Sequence, residues 1–310
     1  MADPIPISSL LPAVVYVNSA AGGGRGIYFL PRIQKAFEVA SVAAEFIHVG
    51  SAQDLESKAI AAINSGVRLL FALGGDGTFQ GLANAAYGAD VILGVLPAGG
   101  GNDFAAGLKL PKNPVAATEA VLRGQPKHVD LVRARTGDGR VRLYLGGGGL
   151  GIDAEAVRLA SGAFHRLPGR ARYIASALRA YCGYRPIGVR AEFSKSAFPP
   201  IEAKALLAAV LNTPSYGAGI RLAPEARMDD GWLDAVIVEE LSAFQVLTLL
   251  PRLVKSGELR TPPLKRFRVQ AVRLTTDRPS MFHGDGEILG PTPVEIEVVP
   301  RAIRVMVPLG

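Results

Sequence analysis

A parallel α/β domain followed by a β-rich domain is the fold class predicted by this 310-residue sequence, and three observations predict it. In the first third, short apolar β-branched runs alternate with helix-length periodic segments, a rhythm that signals βαβ units. From about His128 that rhythm gives way to short alternating segments of the kind found in antiparallel sheets. Residues that are 49% hydrophobic and 20% charged supply two sizeable cores and exclude wholesale disorder.

The first strand is expected at Ala13–Val17, ending in the loop Asn18–Gly26. Helical periodicity follows over Ile27–Val39. Further buried strands are expected at Ala44–Val49, Arg68–Leu73 and Val91–Leu96, with helices at Gln53–Asn64, Phe79–Ala86 and Val115–Leu122. Each strand ends in a glycine-bearing loop, where doubly wound sheets place their ligands. In the second half, Arg140–Leu145 reads as a half-buried strand, with Arg140, Arg142 and Tyr144 outward and Val141, Leu143 and Leu145 inward. Later β runs are Ala203–Leu211, Trp232–Val238, Phe267–Thr275, Val294–Val299 and Ile303–Val307. Helices at Ala171–Tyr181 and Ala243–Val254 interrupt them, the second with Ser242 as N-cap. The boundary is expected near Gly124–Lys127, giving domains 1–126 and 127–300, with residues 301–310 packing back on the first.

Glycine, at 36 residues, has no collagen-like period and concentrates in loops. A single cysteine, Cys182, excludes an internal disulfide framework and suits a reducing compartment. The start MADPIPISSLLP lacks a basic region and is broken by prolines, and no apolar run approaches the ~20 residues that span a bilayer. A cytoplasmic protein is expected, with any membrane contact peripheral. The net charge of +7 favours anionic partners, and most of its cations are Arg, which suits bidentate contact with phosphate or carboxylate.

The most specific string is Gly74-Gly75-Asp76-Gly77-Thr78, between a buried strand and a helix. Glycines let a backbone approach phosphates closely, and the N–H groups of the following helix bind anions. Asp76 then stands where a carboxylate could hold Mg²⁺, against the plainer reading of a helix cap. A second loop, Gly99-Gly100-Gly101-Asn102-Asp103, follows the next strand, so the two converge at one sheet edge and favour a shared phosphate site. The third loop, NSAAGGGRG from Asn18, lacks the Gly-Lys-Ser/Thr ending of a P-loop and the GxGxxG pattern. Its position after the first strand nonetheless suits phosphate or base contact.

Four Asp-Gly dipeptides differ in meaning. Asp138-Gly139 reads as a hairpin turn. Asp230-Gly231, flanked by Asp229 and Asp234, is a turn or a local cation site. Asp285-Gly286 sets Glu287 just beyond a tight turn, and a surface turn is the plain reading of that carboxylate. Asp76-Gly77 belongs to the first loop. Val157–Arg190 contains seven arginines and no acidic residue, with Ile174, Ala177, Leu178 and Tyr181 as an apolar stripe. It reads as a solvated basic helix or as a surface for anionic lipid. Nucleic acid is not expected as a partner, because stacking aromatics and a recognisable module are missing. His48, His128, His165 and His283 are dispersed, and no zinc spacing or nucleophile elbow is present.

Taken in order, GGDGTFQGLANA, LPAGGGNDFAAGL, PEARMDDGWLDAVIV and FHGDGE resemble the diacylglycerol kinase catalytic-domain family, in its soluble bacterial lipid kinase branch related to sphingosine kinases. The resemblance spans nearly the whole chain. It implies an NAD-kinase-like α/β nucleotide-binding domain with a parallel sheet, a β-sandwich-like C-terminal domain, and an active site in the cleft between them. It further implies ATP on Asn18, the Gly74–Thr78 loop, Gly100, Asn102 and Asp103, with Glu287 as general base and Asp76 in the Mg²⁺ and phosphate network. By the same likeness Asp230 ligates a structural Mg²⁺ with the carbonyls of Arg227 and Trp232. The implied partner is a membrane lipid substrate such as diacylglycerol; the acid-free arginine segment adds peripheral contact with an anionic inner-membrane surface, and a homodimer is an open alternative.

The chain departs from that family where Gly100 replaces a usual Thr, where Ser19 follows Asn18 in place of Pro, and where Val49-Gly50-Ser51 lacks a matching threonine. The first loop is shared with NAD kinases, so an NAD or other small-molecule kinase is the enzymatic alternative. A nucleotide or lipid sensor without turnover is the non-enzymatic one.

Overall fold

A computed structural model describes residues 12–162, 164, 169–194, 198–217, 219–242, 244–245, 248 and 264–309. The helix expected over 243–254 lies almost wholly outside them. The chain forms two compact units, one holding the residues to Val129 and those from Arg301, the other running from Asp130 to Pro300.

In the first unit the elements alternate as strand β1 (Ala13–Asn18), helix α1 (Arg25–Val39), β2 (Ala44–Val49), α2 (Ala52–Asn64), β3 (Leu69–Gly74), α3 (Asp76–Ala86) and β4 (Ile92–Pro97). The short α4 (Asp103–Gly107) and α5 (Pro114–Leu122) follow. β1 lies parallel between β2 and β3, and β3 pairs parallel with β4. The strands read as continuous apolar runs because helices cover both faces: every residue of β3 and β4 is buried. Caps set the helix starts. Ser51 Oγ accepts the Asp54 N–H at the head of α2, and Asn113 does the same for Val115 and Ala116 at α5.

The second unit contains β6 (Val141–Tyr144), β7 (Gly147–Gly151), α6 (Ile152–Ser161), α7 (Gly169–Tyr181), β8 (Ile187–Ser194), β9 (Ile201–Leu211), β10 (Leu233–Glu239), β11 (Leu264–Val269), β12 (Ala271–Thr276), β13 (Met281–Gly284) and β14 (Glu287–Pro291). Two further strands pass between units: β5 (Gln125–Arg135) and β15 (Val294–Val307). β9 is the hub, pairing antiparallel with β7, β8 and β10. β8 continues to β12 and β15, and β7 to β13 and β14. Val132, Tyr144, Leu150, Val189, Val210, Leu233, Phe282 and Ile296 are among the residues of the core.

The single run expected at Phe267–Thr275 is two strands, β11 and β12, because Gln270 ends one pairing and Ala271 begins another with β8 and β15. The two runs expected at 294–299 and 303–307 are one strand, β15. Tyr144, expected outward, is fully buried, and its hydroxyl donates to the Val210 carbonyl; Val141, expected inward, is exposed. The helix stripe also differs. In α7, Ser176 and Ala180 face inward and Tyr181 donates to the Leu241 carbonyl, while Ala177 and Leu178 face outward. The α7 register is thus rotated by about one residue from the apolar pattern.

Candidate functional site

At the carboxyl edge of the parallel sheet, the loops after β1, β3 and β4 interlock. The Gly74 carbonyl accepts the N–H groups of Ala98 (2.7 Å) and Gly99 (3.2 Å). Gly99 has to be glycine: a Cβ there would stand 2.5 Å from Gly75 Cα. The Asn102 side chain closes on Gly99, accepting its N–H at 3.0 Å and donating to its carbonyl at 2.9 Å, with Asn102 itself at φ 59°. The third loop joins through Asn18, whose Nδ2 donates to Thr78 Oγ1 at 2.9 Å, and through Gly22, where a Cβ would lie 2.1 Å from the Ala98 carbonyl oxygen.

Asp76 lies between the loops. Its two oxygens accept the Asp103 and Phe104 N–H groups, each at 3.2 Å, so the carboxylate caps α4. A carboxylate is the hard oxygen donor that Mg²⁺ takes, so Asp76 suits that ion as well. The start of α3 points its N–H groups and positive dipole end at this edge, the arrangement that receives phosphate. Gly100, the position lacking the usual hydroxyl, is exposed. Ser19, standing in place of Pro, meets His48 with Oγ 3.0 Å from Nδ1.

In the second unit, Gly284 and Glu287 pair across the two-residue turn Asp285-Gly286, whose φ values of 50° and 86° are those of a primed hairpin turn. Glu287 is half-buried at the start of β14. Asp285 turns inward and accepts the N–H groups of Leu145 (2.7 Å), Gly146 (2.8 Å) and Gly147 (3.2 Å). Burial pushes its carboxyl up to about 6, against the opposing pull of those three N–H groups.

Asp230 Oδ1 accepts the Trp232 N–H at 3.0 Å, and its Oδ2 is 2.7 Å from Arg268 Nη2. The Arg268 guanidinium also stacks 5.3 Å from the Trp232 ring centroid. One carboxylate with main-chain carbonyls is a set Mg²⁺ accepts, but here Arg268 already neutralises one oxygen. Among the described residues no cluster of three or more His, Cys, Asp or Glu has metal-holding geometry, and no helix is long and apolar enough to cross a membrane.

The motif reading overlooked Asn212, which is fully buried and donates to the carbonyls of Asp130 (3.0 Å) and Leu145 (2.9 Å). It also overlooked Asp153 and Tyr216, which converge on His283. Two signals for them stand in the chain: the run Gly146–Gly149, and a polar Asn212-Thr213 pair ending an otherwise apolar strand.

Residues 12–134 match the diacylglycerol kinase catalytic domain, and residues 148–307 match the YegS C-terminal NAD kinase beta sandwich-like domain. A "Diacylglycerol kinase" of Mycobacterium tuberculosis is 31% identical over 261 residues, covering 84% of this chain and 83% of that protein. A "Probable lipid kinase YegS-like" protein of Stenotrophomonas maltophilia is 29% identical over 273 residues, covering 83% and 84%. A solved diacylglycerol kinase structure from Bacillus anthracis shares the fold at 19% identity, with a TM-score of 0.72 over 95% of this chain and 96% of that one. Both halves of the chain and its ordered motifs agree, and this protein belongs to the diacylglycerol kinase catalytic-domain family.

Proposed function

We propose that this chain, a lipid kinase by its family, transfers the terminal phosphoryl group of ATP to a hydroxyl of diacylglycerol or a related membrane lipid. The meeting of three glycine loops at the head of α3 carries the reading. Phosphoryl transfer asks mainly for positioning and charge neutralisation, and this edge offers both. Asn18, Gly74, Gly75, Gly77, Thr78, Gly100 and Asn102 form the phosphate cradle, with Asp76 and Asp103 at its rim. Asp76 would hold Mg²⁺, which would supply positive charge to the transferring group. Glu287 accepts the hydroxyl proton as the new P–O bond forms. A second cation, held by Asp230 and the carbonyls of Arg227 and Trp232, belongs to the same reading and has to displace Arg268 from Oδ2.

The lipid is met at the membrane surface, to which the basic segment of α6 and α7 lends charge. Within it Leu178 and Arg179 are exposed, whereas Arg158 is paired with Glu155 at 2.6 Å. The test is a radiolabelled-phosphate assay with ATP, Mg²⁺ and dispersed lipids of different head groups, with NAD as the competing acceptor. Labelled lipid is the expected product. Glu287→Gln abolishes that turnover while ATP binds nearly as before; an unchanged rate in this variant refutes the base assignment, and labelled NAD without labelled lipid refutes the acceptor.

A further inference from the structure

Strand β7 is glycine at four of its five positions. For one of them the reason is local: a Cβ on Gly149 would lie 2.2 Å from Asp153 Oδ2 and 2.9 Å from Tyr216 Oη. That space belongs to three polar side chains from separate elements, Asp153 at the start of α6, Tyr216 beyond β9, and His283 in β13. Tyr216 donates its hydroxyl proton to Asp153 Oδ2. The same hydroxyl is 2.7 Å from His283 Nε2, which is 3.1 Å from that carboxylate oxygen. The two rings stack with centroids 5.8 Å apart. His283 is 3% exposed, and its Nδ1 is buried without a hydrogen-bond partner.

Such a cluster is a poor way to hold strands together. Apolar side chains of the same volume are often as stabilising as a buried ionic group, or more so, and an unpaired buried nitrogen is unfavourable. Glycine in a strand interior weakens it further. What the cluster is attached to gives it a purpose. His283 lies in the strand that leads into the Gly284–Glu287 turn. Asp285 in that turn grips the amides of Leu145, Gly146 and Gly147, at the entry to β7. The hairpin is therefore tied at both ends of β7, by Asp285 at the start and by the His283 contact with Asp153 just beyond the finish.

We infer that the Asp153–Tyr216–His283 cluster anchors the β13–β14 hairpin, with Asp153 and Tyr216 acting as positioning residues for the Glu287 carboxylate. The inference rests on the reading of Glu287 as proton acceptor. Tyr216→Phe removes one hydroxyl and keeps the ring. A shift of about 1 Å in a reacting group can lower a rate on the order of 100-fold, so a drop in kcat of at least about tenfold is expected, with KM for ATP unchanged. The melting temperature stays within a few degrees, and the amides of Leu145–Gly147 exchange hydrogen faster.

Native kcat in Tyr216→Phe overturns the inference, and so does a loss that disappears once activity is expressed per folded molecule. If Tyr216→Phe does not fold, Asp153→Asn carries the same expectations and the same refutation. A cluster that unfolds the protein under both changes is a structural element only, which also ends the inference. Glu287→Gln separates the two readings: native activity there removes the base, while faster exchange at Leu145–Gly147 in Tyr216→Phe reports the anchor without any turnover.

Discussion

Burial and three backbone N–H groups pull the Asp285 carboxyl in opposite directions, and burial wins, raising it to about 6. A raised value in the folded state means that the group's contribution to stability is complete below the ordinary carboxylate range near 4 and is lost as pH rises through about 6. The stability of the native protein minus that of Asp285→Asn should therefore fall between pH 4 and 7, by about 3 kcal/mol or less. Urea midpoints across that range measure it, and a flat difference would show the carboxyl to be unshifted. Asp76 carries a related lesson. Its glycine surroundings mark it for phosphate chemistry, and the structure adds that it caps α4, tying the second loop to the first. Tyr144 shows the limit of alternation as a guide, since its hydroxyl finds the Val210 carbonyl and the ring goes inward.

The elements of the first unit were legible because hydrophobic runs and glycine loops alternate along it. Their interlock makes a prediction. Gly99→Ala sets a Cβ against the Gly75 backbone, which cannot yield as a side-chain tip does. ATP affinity should fall tenfold or more and the melting temperature should fall as well, as titration calorimetry and thermal melts would show. Native affinity would mean that the loops are looser than they stand. Strand β7 was not legible, because a glycine run carries no periodicity; its packing reasons are Leu211 and Tyr216 at Gly147, Phe282 at Gly148, Asp153 and Tyr216 at Gly149, and the Leu206 carbonyl at Gly151. β11 and β12 merged in the reading because Gln270 is a weak break inside a β-rich run. α7 was legible as a helix, but its inward face includes Ser176, which apolar counting passes over. Its outward Leu178 and Arg179 argue that binding to anionic vesicles should weaken as salt rises from low to physiological, because exposed charges are screened within about 8–10 Å. Salt-independent binding in a flotation assay would mean that apolar insertion dominates.

For the molecule as a whole, the change of rhythm near His128 carried the two-part architecture, and the four ordered motifs carried the family. The contacts that hold Glu287's hairpin were beyond reach, since Asp153, Tyr216 and His283 are far apart in the chain and only folding brings them together. Strand β15 has a consequence of its own. It places Arg304 and Val305 beside Ile92 and Leu93 of β4, Arg304 pairs with Asp90, and the Val307 carbonyl fills the space that a Cβ on Gly124 would need. During synthesis on the ribosome, the parallel sheet thus stands with one flank of β4 bare until the whole second unit has been translated. A nascent chain stalled within the second unit would expose that flank as a sticky border, and chaperones would be expected to guard it until β15 arrives.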